Sequence, residues 1–378
     1  MTAVLTTDTR RPNSPLVYVD WILVGTAVVL SLVGLLMVYS STQHRLTLQG
    51  GASDFFLVRQ ASFFVLGLGL MAVMLYVDYR VLRDVSPMIY AVTLATLFVV
   101  LTPLGTATRG SQARFNLGIL QFQPSELTKI VVILAIASFC YQYRGDLDAW
   151  RLAQALGIAA VPLGLILLQP DLGTALVIVF TLLGMLLVAG ARPRHLGVLL
   201  LFGVTSMVGV VAVGALEEYQ VDRLTSFIDQ GSDLQRSRYN LEQSKIAIGS
   251  GGLLGKGLFQ GTQTNLSFVP EQHTDFIFTA VGEELGFLGA AVILLLFGVV
   301  VWRTWRIAQL AKDPFGSLAA IGVLSMIAFQ VFQNVGMSMG IMPITGIPLP
   351  FLSYGGSSML ASFAGVGLVA NIGMRRYT

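Results

Sequence analysis

The sequence predicts an all-α polytopic membrane protein with ten transmembrane helices, both termini in the cytoplasm and a large extracellular loop between helices seven and eight. Three observations carry this prediction. Only 11% of the 378 residues are charged and 54% are hydrophobic, whereas a soluble domain is roughly 25% charged. Apolar stretches recur at the length of about 20 residues that a helix needs to cross a bilayer. Positive charges are concentrated in alternate connecting segments, which is typical of polytopic membrane proteins.

Charge-free windows place the spans in chain order. The first seven windows cover residues 21–44, 60–77, 85–108, 130–143, 152–170, 172–191 and 195–216. Two more cover residues 285–302 and 314–374, and the second is long enough for two helices. Three prolines within residues 343–350 separate these two helices, because proline cannot continue a helix. The fourth and eighth spans reach full length only if they begin near Ser125 and Phe276.

The distribution of Lys and Arg predicts the orientation. Alternate short segments hold 13 of these residues, and the opposite short segments hold four. The 13 are Arg10, Arg11, Arg80, Arg83, Arg144, Arg151, Arg192, Arg194, Arg303, Arg306, Lys312, Arg375 and Arg376, and the four are Arg45, Arg59, Arg109 and Arg114. The side with 13 is expected to be cytoplasmic.

We expect residues 1–378 to form a single integral membrane domain. Two outer connections are long: residues 104–124 join spans three and four, and residues 215–275 join spans seven and eight. The second is much longer than a link requires. Cys140 is the only cysteine, so a disulfide within the chain is excluded.

Ionisable residues inside or at the mouth of membrane helices are costly and usually face a cavity or a partner. Such residues here are Asp20, Glu126, Lys129, Asp171, Asp275, Glu283 and Glu284. Apart from Asp20, all are predicted to lie in the outer half of the membrane. This convergence predicts an acid/base and cationic site at the outer face.

Each of these residues also has a structural interpretation. Glu126 and Lys129 share a helix face and form either a buried ion pair or a held cation that binds phosphate. Asp275 is either a general base or a helix N-cap, and His273 is a second base or an interfacial side chain. For Glu283 and Glu284 the alternatives are a pairing with another helix and a role in a proton relay. A transporter and a lipid-linked transferase both remain open.

Several long motifs nevertheless resemble a known family. They lie at residues 122–129, 169–174, 243–252, 270–278, 282–286 and 342–358. Together they resemble the SEDS proteins (shape, elongation, division and sporulation), which include RodA and FtsW. The short tails and residues 342–346 look more like RodA. One departure is Ala113-Arg114, where the family usually has Arg-Trp.

The resemblance implies a peptidoglycan glycosyltransferase that polymerises lipid II on the outer face of the cytoplasmic membrane during cell elongation. It implies that Asp275 is the catalytic base and that Lys129 and Glu126 form the diphosphate site. Further substrate-binding residues implied by the motifs are Ser125, His273, Gln243 and Lys245. The alternatives are a lipid II flippase and a scaffold of the elongation or division complex.

The same resemblance implies a class B penicillin-binding protein as the partner, because this sequence has no transpeptidase domain. The departure of a diphosphate is aided by a divalent cation, so Mg²⁺ or Mn²⁺ is the expected cofactor. No ligand set for the metal is legible in the sequence. Nucleic acid is not an expected partner.

Overall fold

The computed structural model describes residues 15–48, 50–108, 111–117, 120–143, 147–212, 235–266 and 268–377. Predictions that concern Arg10, Arg11, Arg109, Arg144 and residues 213–234 lie outside these ranges. The described chain is dominated by long helices connected by short turns.

Thirteen α-helices occur in the described ranges, besides two short 3₁₀ turns at Pro15–Tyr18 and Arg375–Tyr377. They are α1 (Trp21–Leu48), α2 (Phe55–Tyr76), α3 (Tyr79–Val100), α4 (Pro124–Tyr143), α5 (Ala149–Leu167), α6 (Leu172–Val188), α7 (Pro193–Ala212), α8 (Gln235–Ser250), α9 (Thr262–Asn265), α10 (Ile277–Glu284), α11 (Gly286–Gln309), α12 (Pro314–Met339) and α13 (Gly356–Met374). A helix therefore lies at every predicted span.

Eight of the helices in the described ranges are long and apolar enough to cross a membrane: α1, α2, α3, α4, α5, α11, α12 and α13. Helix α6 is equally apolar and slightly shorter. The prediction of a helical polytopic membrane protein is thus confirmed. The span at Pro124–Tyr143 does begin beside Ser125, and it carries Glu126 and Lys129 in its first two turns.

A small sheet makes the all-α prediction wrong in one place. The connection between α3 and α4 forms three antiparallel strands in the order β1-β2-β3, which are Thr106–Thr108, Ser111–Leu117 and Leu120–Phe122. Strand β2 pairs with both neighbours, with Phe115 opposite Phe122. Because strand pairs depend on contacts across a turn, helical periodicity and hydropathy do not reveal so short a sheet.

The predicted eighth span is also interrupted. The helix that starts after Phe276 stops at Glu284, and α11 begins at Gly286, whose φ is +66°. A Cβ at Gly286 would lie 2.2 Å from the backbone nitrogen of Gly255, so only glycine allows this approach. The Phe287 N–H donates to the carbonyl of Gly252 at 2.9 Å, which replaces the helical bonds lost at the break.

The described part of the long outer connection is packed against the helices. Helix α8 contacts α10 and α12, and the Ser244 hydroxyl donates to the carbonyl of Ser338 at 2.6 Å. The carboxylate of Glu283 accepts bonds from the backbone N–H groups of Gln263 and Thr264 at 2.8 and 2.9 Å, and from Lys256 at 2.8 Å. Glu283 therefore anchors this segment to the helical core.

Candidate functional site

One polar cavity of about 950 Å³ lies where α1, α2, α4 and α6 meet strand β2 and the loops before α10 and α13. Ten of its lining residues bear ionisable side chains: Arg45, Arg59, Arg114, Glu126, Lys129, Asp171, Glu271, His273, Asp275 and Tyr354. These residues are scattered over much of the sequence. The fold therefore brings the predicted acid/base residue and the predicted cation to the same cavity.

Glu126 and Lys129 form a buried ion pair on the cavity wall. The Lys129 ammonium lies 2.8 Å from a Glu126 carboxylate oxygen, and the two side chains are only 2% and 6% exposed. Their i, i+3 spacing in the first turns of α4 makes the contact possible. The carboxylate compensates the charge of Lys129, which would otherwise be costly at this depth.

The Asp171 carboxylate joins α4 to α6 through hydrogen bonds. It caps α6 by accepting from the Thr174 N–H at 3.0 Å, and its other carboxylate oxygen accepts from the Thr174 hydroxyl at 2.8 Å. That second oxygen also accepts from the Gln123 amide and from the Ser125 hydroxyl, each at 3.0 Å. Ser125 is fully buried in this network and is not among the residues that line the cavity.

Asp275 lies in the turn that precedes α10 and lines the cavity. The N-cap of α10 is Phe276 rather than Asp275, and the Phe276 side chain makes no capping hydrogen bond, so the interpretation of Asp275 as the N-cap residue is wrong. His273 also lines the cavity and lies between two aromatic rings, with ring centroids 4.8 Å from Phe56 and 5.6 Å from Tyr354.

Two of the predicted substrate-binding residues are elsewhere. Gln243 and Lys245 lie on α8 and are not part of the cavity lining, and the Lys245 side chain packs beside Gly340 at the end of α12. Asp20 is also remote, since it pairs with Arg303 at 2.9 Å. Glu284 accepts from the Ser40 hydroxyl at 2.6 Å. Glu283, Glu284 and Asp20 thus form ion pairs or hydrogen bonds that hold parts of the fold together.

Sequence reasoning missed the arginines of the cavity. Arg45, Arg59 and Arg114 line it, and none of them forms a salt bridge with a carboxylate in the described ranges. All three belong to the four positive residues that break the cytoplasmic charge bias. Lys and Arg are uncommon in the short segments on the non-cytoplasmic side of a membrane protein, so the presence of these arginines there in the predicted topology could have indicated a functional role.

Arg114 and Ala113 both line the cavity, so the departure from the family's usual Arg-Trp places a cation at the site one position later. Arg59 and Arg114 lie near the Tyr354 phenol and favour its ionised form, but burial outweighs them and raises its pKa above the ordinary value. Tyr354 is therefore a protonated hydrogen-bond donor or acceptor beside the arginines at neutral pH.

The described ranges contain no group of three or more His, Cys, Asp or Glu residues that could hold a metal ion. Magnesium is commonly bound through only one or two carboxylates together with substrate phosphates. The carboxylates of the cavity are suitable for magnesium binding of this kind, in which substrate phosphates supply the other ligands.

Comparison with known proteins adds independent information. Residues 20–378 match the model of the FtsW, RodA and SpoVE family, described as a cell cycle protein. Stage V sporulation protein E of Bacillus subtilis (strain 168) is 39% identical, over 96% of this chain and 98% of that protein. Peptidoglycan glycosyltransferase MrdB of Escherichia coli (strain K12) is 38% identical, over 82% of this chain and 84% of that protein.

A solved structure of a peptidoglycan synthase complex, "Structural coordination of polymerization and crosslinking by a peptidoglycan synthase complex", is similar along nearly the whole chain. Its matching chain is 32% identical, with a TM-score of 0.79, over 95% of this chain and 99% of that one. Sequence, architecture and motif order agree, and the chain belongs to the FtsW, RodA and SpoVE family of cell cycle proteins.

Proposed function

We propose that this protein is a peptidoglycan glycosyltransferase that polymerises lipid II into glycan strands. The observation that carries the proposal is one cavity whose lining includes the carboxylate of Asp275 together with Lys129 and three arginines. The relatives support it, because MrdB is named as a peptidoglycan glycosyltransferase and the solved relative belongs to a peptidoglycan synthase complex.

Glycosyl transfer between lipid-linked sugars needs two kinds of group. A base must take the proton of the acceptor sugar's 4-hydroxyl as that oxygen attacks the anomeric carbon of the growing chain. Positive charge must stabilise the lipid diphosphate that leaves. We assign the base to Asp275, with His273 beside it, and the diphosphate site to Lys129, which Glu126 holds in place.

The uncompensated arginines extend the cationic part of this site. Lys129 is paired with Glu126, whereas Arg45, Arg59 and Arg114 line the cavity without a salt bridge to a carboxylate among the described residues. A planar guanidinium binds phosphate oxygens through two parallel hydrogen bonds. A divalent cation, Mg²⁺ or Mn²⁺, would add neutralising charge at the diphosphate when it is bound, with Glu271 and Asp171 as carboxylates of the cavity near which it would lie.

We further propose a topology, a membrane location and a partner for this protein. The chain has ten transmembrane helices in the cytoplasmic membrane and opens its cavity outward, and its partner is a class B penicillin-binding protein. The charge bias supports the orientation. The solved relative supports the partner, because its complex coordinates polymerisation with crosslinking. Residues 342–346 are the basis for a role in elongation.

Two matched alanines test the orientation. Ala52 lies in the connection between α1 and α2, Ala149 begins α5, and both are exposed. In a Cys140→Ser background, Ala52→Cys is expected to react with a membrane-impermeant thiol reagent on intact cells, whereas Ala149→Cys should react only after lysis. The reverse pattern would invert the orientation and remove the outward-facing site.

Strand synthesis tests the activity. Purified protein in detergent, with and without a class B penicillin-binding protein, is expected to convert lipid II into glycan strands on a gel. A flippase would leave lipid II unchanged in detergent, because no bilayer remains to be crossed. A scaffold would also leave it unchanged unless the partner made strands alone, which the partner-only lane reveals.

A further inference from the structure

A buried amide holds the backbone of the turn that carries Asp275. Asn334 lies on α12 and is completely buried. Its Nδ2 atom donates to the carbonyl oxygen of Asp275 at 2.7 Å and to that of Ile347 at 2.8 Å. One side chain thus joins the turn before α10 to the loop before α13, and residues from both segments line the cavity.

The chemistry of the contact requires a side chain with two N–H groups on one nitrogen. Two carbonyl oxygens face the same point, and a carboxamide nitrogen can donate to both, whereas a hydroxyl has one proton to give. The Asn334 oxygen is buried and has no hydrogen-bond partner among the described residues.

Other contacts hold neighbouring parts of this turn. The Gln272 amide donates to the hydroxyls of Thr264 and Thr279, each at 3.0 Å, and the backbone N–H of Asp275 donates to the carbonyl of Glu271 at 3.2 Å. The neighbouring tether is the Tyr354 N–H, which donates to the carbonyl of His273 at 2.8 Å. The amide of Asn334 is therefore the contact that holds the peptide group of Asp275 itself.

We propose that Asn334 is a positioning residue for glycosyl transfer, which fixes the Asp275 carbonyl and thereby orients the Asp275 carboxylate toward the acceptor hydroxyl. This inference rests on the proposed function, in which Asp275 is the base. A base must lie within hydrogen-bond reach of the proton it removes. Small displacements of a reacting group reduce the rate strongly even when binding is unchanged.

Asn334→Leu tests the inference, because leucine has the same number of side-chain heavy atoms, branches at the same carbon and has no donor. The adjacent residue supplies a matched control: Gln333 is also buried and donates to the carbonyl of Pro343 at 2.9 Å, without touching Asp275. We expect Asn334→Leu to lower kcat for lipid II by roughly 10- to 100-fold, as misplacement of a base does, with KM within about twofold. Gln333→Leu is expected to stay within about threefold of the wild-type kcat, which is the scale of a lost tether that does not touch the base.

A double-mutant cycle separates positioning from packing. If Asn334 acts through Asp275, adding Asn334→Leu to Asp275→Asn lowers the residual rate no further. Asn334→Asp, which keeps the shape but removes both N–H groups, replaces Asn334→Leu should the latter fail to give monodisperse protein. An unchanged kcat in the Asn334 variants, an equal loss in Gln333→Leu, or losses that multiply in the double variant would overturn the inference.

The same measurements distinguish the proposed function from the positioning role. Active wild-type protein with inactive Asp275→Asn and unaffected Asn334 variants would refute the positioning role alone. Wild-type protein that makes no strands, or Asp275→Asn that keeps full activity, would refute the proposed function and this inference with it.

Discussion

Asp275→Asn is expected to abolish strand synthesis, with a loss of roughly 10²–10⁴ in rate and unchanged thermal stability. Asparagine has the shape of aspartate and keeps one side-chain oxygen, but its amide cannot accept the proton of the acceptor hydroxyl. Stability should be preserved because the N-cap of α10 is Phe276 and because the substitution leaves the Asp275 backbone carbonyl, which accepts from Asn334, unchanged. The measurement is lipid II polymerisation by purified variant and wild-type protein.

Two further measurements make the result interpretable. Thermal unfolding and co-purification with the class B penicillin-binding protein should be the same for both proteins. Lost strands with intact stability and binding would support a chemical role. Retained synthesis would remove Asp275 from the mechanism, and His273, which lines the same cavity, would be the next candidate for substitution.

Lys129→Met is expected to abolish turnover and also to destabilise the protein. Methionine retains the length of the apolar stem but leaves the Glu126 carboxylate buried without its partner 2.8 Å away. Removal of one member of a buried ion pair costs about 3–5 kcal/mol. Activity loss in the single variant is therefore ambiguous between a binding role and a folding role.

The double variant Glu126→Gln/Lys129→Met resolves this ambiguity. Hydrophobic side chains of similar volume often replace a buried ion pair without loss of stability, and the Gln/Met pair likewise leaves no unpaired buried charge. We expect thermal stability to recover while polymerisation stays at least ~10²-fold below wild type, the scale of losing one group that stabilises developing charge. Recovery of both stability and activity would show that the pair only supports the fold.

Particular residues show why part of this site could be predicted. Glu126, Lys129 and Asp275 are charged residues next to apolar stretches, and a charge at membrane depth has few explanations other than function or pairing. All three line the observed cavity. The resemblance of residues 122–129 and 270–278 to the SEDS proteins then indicated which chemistry these charges perform.

The roles of other residues could not be predicted from the sequence, because they depend on contacts between remote segments. Asn334 is an uncharged residue inside an apolar helix, and its importance appears only when two carbonyls from remote segments converge on it. Gln243 and Lys245 belong to a family motif, yet they lie on α8 outside the cavity lining. Ser125 is turned inward to Asp171, a contact between two helices that no local pattern encodes.

The sequence by itself determined that this protein is a helical membrane protein, where its long apolar helices lie and which family it belongs to. Hydropathy, charge bias and motif order are properties of consecutive residues, so they can be read without a fold. The tertiary structure alone decided that the eighth span breaks at Gly286 and that Glu283 anchors a loop. It also decided that Arg45, Arg59 and Arg114 line the same cavity as Asp275. These outcomes depend on which distant segments pack together, because the close approach of two backbones and the convergence of charges are set by helix packing.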